Sequence, residues 1–304
     1  MRGAPATTAP SRTLVVLAFL SIYVLWGSTY LAIRVAVETL PPFGMAATRF
    51  LVAGVLLGAW TLLQGKFERP TLVHWRSATI VGSLLLFSGN GCVVLAETRV
   101  ESGVAALVIA TTPLWMISIH ALAPGGTRPR LAEIAGLALG FAGVWVLVDP
   151  GVGRAVDPFG TVLLVIATIS WASGSLYSRS APLPRSPLQG AAMEMLAGGA
   201  VLLVASLVRG EWAAVDPARF SLASVASLAY LVVFGSLVGF SAYIWLLRVT
   251  TPAKVATYAY VNPVVAVALG WAVLSEPITT DTLVATALIV AAVVLTTVVR
   301  KTGR

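Results

Sequence analysis

Between residues 13 and 299 the chain holds ten runs of about twenty residues that are nearly free of charge. They fall at 13–33, 43–63, 74–96, 103–123, 131–149, 159–178, 188–208, 223–247, 253–274 and 280–299. A helix rising about 1.5 Å per residue needs about 20 apolar residues to cross a hydrocarbon layer about 30 Å thick. Lipid offers no partners for backbone N–H and C=O, so a spanning segment is a helix or a strand of a closed barrel. Barrel strands alternate over about 10 residues, and stretches such as GSLLLF (82–87) and LLVIATI (163–169) do not alternate. The expected fold class is therefore all-α, a polytopic membrane protein with ten transmembrane helices. Composition agrees: charged residues make up 11% of the chain, against about 25% in a soluble domain, and the runs leave no room for a separate soluble domain.

The formal charge of +8 reads as topology. With the N-terminus in the cytoplasm, 14 Lys and Arg fall on the inner side, among them Lys66, Arg128, Arg130, Arg248 and Arg300. Five fall on the outer side: Arg34, Arg99, Arg154, Arg209 and Arg219. Loops rich in Lys and Arg stay inside, which predicts an inner (plasma) membrane protein with both termini cytoplasmic and gives no reason to invoke nucleic acid. The first run is too long for a cleavable signal and lacks a small-x-small site. Cys92 is alone and inside a run, which excludes disulfides and thiolate metal sites.

A second constraint is internal repetition. WGSTYLAIR (26–34) returns as WASGSLYSR (171–179) at a shift of 145. The same shift lays Pro42 on Pro187, Arg49 on Glu194, Leu51 on Leu196 and Gly54 on Gly199. A shift of 153 lays Gly82-Ser83-Leu84 on Gly235-Ser236-Leu237, and one of 150 lays Pro113 on Pro263. The order is kept throughout, so the expected organisation is a tail at 1–12, a first repeat at 13–149 and a second at 150–304. Five helices per repeat is an odd number, so the second copy enters the membrane from the opposite side. Two inverted five-helix repeats suit alternating access, because each half can take up the other's conformation.

WGSTYLAIR, PPFGMAATRFLVAG (41–54), SGNG (88–91), ATTPLW (110–115) and LSEP (274–277) resemble the drug/metabolite transporter superfamily. More narrowly, they resemble its EamA-type exporters, the YedA-like group. The resemblance implies a ten-helix bundle around a central cavity, lined mainly by helices 1, 3, 4, 6, 8 and 9, with helices 2 and 7 peripheral. It also implies efflux of amino acids, metabolites or toxic compounds, commonly by proton antiport.

Pro113 and Pro263 each lack an N–H and crowd the carbonyl four residues back, so they predict kinks in the fourth and ninth helices. Thr111, Thr112, Trp115, Tyr258 and Asn262 stand beside those kinks and are candidates for the cavity wall; alternatively the threonines bond their own helix and Asn262 ties two helices together. Asn90, between Gly89 and Gly91, lies where the third helix is expected to bend or unwind, and either faces substrate or bonds another helix. Its repeat partner Tyr243 is expected in a more regular helix. Trp26, Tyr30, Trp171 and Ser175 are candidates for an amphipathic pocket, tryptophan's other common place being the membrane interface. Arg49 and Glu194 are charges deep in spans, and such groups face a polar interior or a partner. Glu194 is the candidate proton carrier; the alternatives are that both residues only tie helices together or pair with each other. Glu97, Glu101, Glu276 and Asp281 are expected as solvated caps or gate rim, and His74 and His120 as incidental. Gly54-x-x-x-Gly58 and Gly136-x-x-x-Gly140 predict close helix packing, within the chain or in a dimer.

Two histidines and one cysteine make no catalytic or metal constellation, and no phosphate loop is present. The expectation is a non-enzyme without cofactor, a monomer or weak homodimer embedded in the lipid bilayer, exporting a small-molecule substrate, with protons as coupling ion. A facilitative carrier or channel-like permease is the alternative. A weakly charged, aromatic cavity suits a neutral or amphipathic solute and would pair a strongly anionic or polycationic one poorly.

Overall fold

The computed structural model describes residues 11–65, 67–122, 131–148, 157–255 and 257–299. Most of the expected tail at 1–12 lies outside them, as do Lys66, Arg128, Arg130, Arg154 and the charged end at 300–304. Among the described residues the regular structure is helical and no strand occurs. Seven helices are long and apolar enough to cross a membrane: α1 (Arg12–Ala36), α2 (Pro42–Leu63), α3 (Leu72–Ala96), α4 (Ser102–Leu122), α6 (Pro158–Ser178), α7 (Pro187–Val208) and α8 (Leu222–Val249). Between and after these lie α5 (Leu131–Val148), α9 (Tyr258–Leu274) and α10 (Thr280–Val299), each with a shorter apolar stretch.

Helix starts follow local chemistry. Pro42, Pro158 and Pro187 occupy first-turn positions, where the missing N–H costs nothing. Asp157 caps α6 through Gly160 N at 2.6 Å, and Ser221 caps α8 through Ser224 N at 3.0 Å. Two further caps come from far along the chain. Glu211 accepts from Phe43 N and Gly44 N at the start of α2, at 3.3 and 2.9 Å. Glu276 accepts from Ser102 N, Ser102 Oγ and Gly103 N at the start of α4, at 3.0, 2.9 and 3.3 Å. A carboxylate suits the positive end of a helix dipole, so Glu276 is a cap held between elements.

The packing comes in matched pairs. α2 lies on α7, α5 on α10 and α4 on α9; α3 packs on α6 and α7 as α8 packs on α1 and α2. Small residues set the closest seams. A Cβ on Gly54 of α2 would stand 2.9 Å from Leu196 Cγ of α7, and a Cβ on Gly199 of α7 would stand 3.0 Å from Leu51 Cγ of α2. Gly54 thus serves packing inside the chain. Apolar side chains such as Leu17, Val55, Leu63, Val204 and Val208 point outward, exposed, as a surface solvated by lipid requires.

Three helices carry widened π turns: Ser21–Leu25 in α1, Ser83–Gly91 in α3 and Leu231–Phe240 in α8. Where SGNG is expected to bend or unwind, a π segment keeps α3 helical, and Tyr243 lies, as expected, in a more regular stretch, the α-helical Ser241–Val249 that follows the π segment of α8. α4 breaks after Ile109 and restarts at Thr112, with Pro113 in its new first turn, whereas Pro263 sits inside α9.

Candidate functional site

Trp26 occupies the middle of α1, where the chain leaves its π turn. Its indole N–H donates to the carbonyl of Gly235 at 3.1 Å, which lies in the π segment of α8. Only a glycine fits at 239, where a Cβ would lie 2.5 Å from Trp26 Nε1. Around Trp26 gather Trp171 from α6, Tyr243 from α8 and Tyr258 from α9, with ring centres 5.5, 4.9 and 5.4 Å away. Trp171 and Tyr258 meet it edge to face, the arrangement that ring quadrupoles favour. Tyr243 is fully buried behind the box; its hydroxyl accepts from Trp171 Nε1 at 3.1 Å and pairs with Ser175 Oγ at 2.6 Å.

This box borders a cavity of about 60 Å³. Of the sequence candidates, Trp26, Tyr30, Asn90, Trp171, Tyr258 and Asn262 line it, together with Arg49. Thr111 and Thr112 do not: they are buried and donate to their own helix, to Val108 O and Ile109 O at 2.7 and 2.6 Å. Trp115 is also outside the wall, packing edge to face on Phe141 of α5. Tyr243 and Ser175 stand one layer behind, holding Trp171. The amide of Asn262, oriented by its surroundings, donates to the Ile22, Tyr23 and Tyr258 carbonyls, so it ties α9 to the π turn of α1 while bordering the cavity. Phe50 and Phe240, which sequence reasoning did not single out, complete the wall.

Contrary to the expectation that the second helix is peripheral, α2 reaches the centre through Arg49. Arg49 is 3% exposed, and its Nε donates to Ser236 Oγ at 2.8 Å. Its guanidinium lies 4.7 Å from the Phe50 ring centre, and Nη1 has no hydrogen-bond partner. Gly235 makes the room, since a Cβ there would stand 2.7 Å from Nη2.

Glu194 does not pair with Arg49. It is wholly buried, with neither carboxylate oxygen hydrogen-bonded. It borders a separate cavity of about 230 Å³ with Ser178, Arg179, Leu183, Ile244, Leu247 and Arg248. Arg248 is occupied elsewhere, donating to Pro184 O and Arg185 O at 3.1 Å each.

Glu97 overturns its expected role as a solvated cap or rim. It follows directly on α3, is 0% exposed, and neither carboxylate oxygen has a partner. Burial pushes its carboxyl well above the usual range; Glu276 adds to the shift, and Arg34 and Arg49 oppose it. Its position just beyond an apolar run concealed this, because sequence alone gives the end of a helix but not what folds over it. Among the described residues no group of His, Cys, Asp and Glu could hold a metal ion.

The EamA-like transporter family matches the chain twice, over residues 13–149 and 158–298. An inner membrane transporter of Escherichia coli K12 called YedA, described as uncharacterized, is 43% identical over 281 residues, spanning 92% of this chain and 89% of its own. A Bacillus subtilis protein described as the uncharacterized transporter YvbV is 26% identical, spanning 94% of this chain and 91% of its own. A solved crystal structure with 22% identity superposes on 97% of this chain and all of its own, with a TM-score of 0.69, and so shares the fold.

Proposed function

The chain belongs to the EamA-like transporter family, and from that premise we propose that it is a secondary carrier exporting a small amphipathic metabolite across an inner membrane by alternating access. The observation that carries this reading is the aromatic-walled cavity where the helices of the bundle converge. Its walls come from α1, α2, α3, α4, α6, α8 and α9, so any rearrangement of one helix set against the other changes it. At about 60 Å³ it is far below the roughly 300–1,000 Å³ of a small-molecule site. The cavity must therefore widen to admit a solute, as it would when the halves part. The matched packing of α2 on α7, α4 on α9 and α5 on α10 is what two inverted repeats would give, and the Lys and Arg balance favours cytoplasmic termini.

Glu194 is the proposed proton carrier. A buried carboxylate with no hydrogen bond is costly as an anion, and it borders a cavity through which a proton can arrive. The carrier works without cofactor or ATP, with the bilayer and its solute as partners.

The test is reconstitution in sealed proteoliposomes, with a panel of amino acids and cationic dyes, with and without a pH gradient. Trp26→Ala is expected to change apparent substrate affinity, and Glu194→Gln to remove the effect of the gradient while downhill flux remains. Gradient-driven uptake that survives Glu194→Gln unchanged would make Glu194 structural. Flux indifferent to Trp26→Ala would move the solute path away from the aromatic box.

A further inference from the structure

Resting on the reading of the central cavity as the solute site, we propose that Arg49 binds the carboxylate of the transported solute, so that the carrier's substrates are small monocarboxylates with an apolar or aromatic body. Burying a charge without a partner is expensive unless something repays it. Arg49 is nearly inaccessible, yet only Nε is hydrogen-bonded by the protein. Nη1 is unsatisfied, on a guanidinium that lines the cavity. Among the described residues it has no ion-pair partner. Glu97 is the carboxylate that influences it electrostatically, but Glu97 does not line the cavity and accepts no hydrogen bond from it.

The surroundings set the chemistry. A guanidinium presents N–H donors in a fixed fork that matches a planar carboxylate. Ser236 holds Nε, while Nη1 is buried without a partner beside the cavity that the residue lines. One cation in a wall with no other charged side chain balances one negative charge, so a monocarboxylate is neutralised where a phosphate dianion would not be. Trp26, Trp171 and Tyr258 supply flat apolar surface for the remainder of the solute. Asn90 lines the same space with a buried, unsatisfied Oδ1, an acceptor for an N–H or O–H on that body.

The experiment uses the full chain in proteoliposomes and compares matched probes: 3-phenylpropionate, its amide, L-phenylalanine, and phenyl phosphate. In the wild type the acids are expected to be transported, or to compete, about tenfold to a hundredfold better than the amide, as a charge-assisted hydrogen bond allows. Arg49→Gln is expected to erase that ratio and Arg49→Lys to restore part of it, whereas a merely structural role would lower transport of acid and amide alike. The wild-type ratio alone decides the matter where Arg49 variants do not fold. A wild type without preference for the acids, including one that takes none of them, overturns the proposal, as does a preference for phenyl phosphate. If Trp26→Ala leaves transport of the acids untouched, the cavity reading itself fails; if Trp26→Ala impairs it while acid and amide stay equal, only the role of Arg49 does.

Discussion

The reciprocal seam between α2 and α7 yields a quantitative test. Leu196 lies over Gly54 and Leu51 over Gly199, and these four positions correspond in pairs at the 145-residue shift. An alanine at 54 would bring Cβ to 2.9 Å from Leu196 Cγ and 3.1 Å from the carbonyl oxygen of Ala192. An alanine at 199 would bring Cβ to 3.0 Å from Leu51 Cγ and 3.1 Å from Leu51 N. Ordinary contact needs about 3.5–4.0 Å, so in each case the helices must part by roughly half an ångström or more. Forced methyl groups in a packed seam typically cost about 1–3 kcal/mol. Because the two clashes are alike, Gly54→Ala and Gly199→Ala should lose stability by similar amounts.

The measurement is reversible unfolding in mixed micelles of rising denaturing detergent, followed by the reactivity of Cys92, the single thiol of the chain, which is partly buried. The pair Gly54→Ala with Leu196→Ala should be more stable than the sum of its parts predicts, by about 1 kcal/mol, because truncating the leucine removes the nearest clash. Recovery should be partial, since the approach to the Ala192 carbonyl remains. Strict additivity, or a Gly199→Ala protein as stable as the wild type while Gly54→Ala is not, would refute the reciprocal seam.

Two further outcomes follow from buried polar groups. Tyr243→Phe strands the Trp171 indole N–H, and Ser175→Ala strands the Tyr243 O–H, because Ser175 Oγ gives its own proton to the Trp171 carbonyl and accepts from Tyr243; leaving a buried donor unpaired costs about 1–3 kcal/mol, so both variants should lose stability, and either one as stable as the wild type in the same unfolding assay would contradict the bonding order. Glu97 binds its proton more tightly folded than unfolded, so stability should fall as pH rises from the ordinary carboxylate range through its raised value, by up to about 1.4 kcal/mol per pH unit. Glu97→Gln should flatten that profile, and an unchanged slope would place the titration elsewhere.

The helical class was legible because lipid leaves the backbone so few options: among the described residues seven apolar runs form helices long enough to span and others form helices with shorter apolar stretches, with Pro42, Pro158 and Pro187 marking starts. Trp26 and Trp171 were legible as a pair because a repeated phrase singled them out. Thr111 and Thr112 were not, since a hydroxyl beside a proline reads the same whether it faces a cavity or its own carbonyls. Glu97 was misread because burial at a helix end depends on what other segments lay over it. Phe50 had no signal distinguishing it from lipid-facing phenylalanines; its wall position comes from lying next to Arg49 on a helix whose inner face the sequence could not orient, α2 being apolar nearly all round.

The matched positions 49 and 194 show what a repeated scaffold does and does not impose. Each charge stands two residues before the leucine that closes the α2–α7 seam, Leu51 or Leu196, so the backbone seats are alike. The side chains nevertheless part company. Arg49 reaches Ser236 in the π segment of α8 and faces the central cavity. Glu194, shorter and of opposite sign, lies beside Ile244 and Arg248 further along α8, in the other cavity. A guanidinium is long enough to cross from the seam to the π segment, and Gly235 leaves it space; the shorter carboxylate stays nearer its seat, toward the positive field of Arg248. In the proposed carrier this divides labour within one fold, with Arg49 meeting the solute and Glu194 the proton. Exchanging the two charges, Arg49→Glu with Glu194→Arg, should therefore not restore function, because neither new side chain would have the length or the partner that its cavity requires.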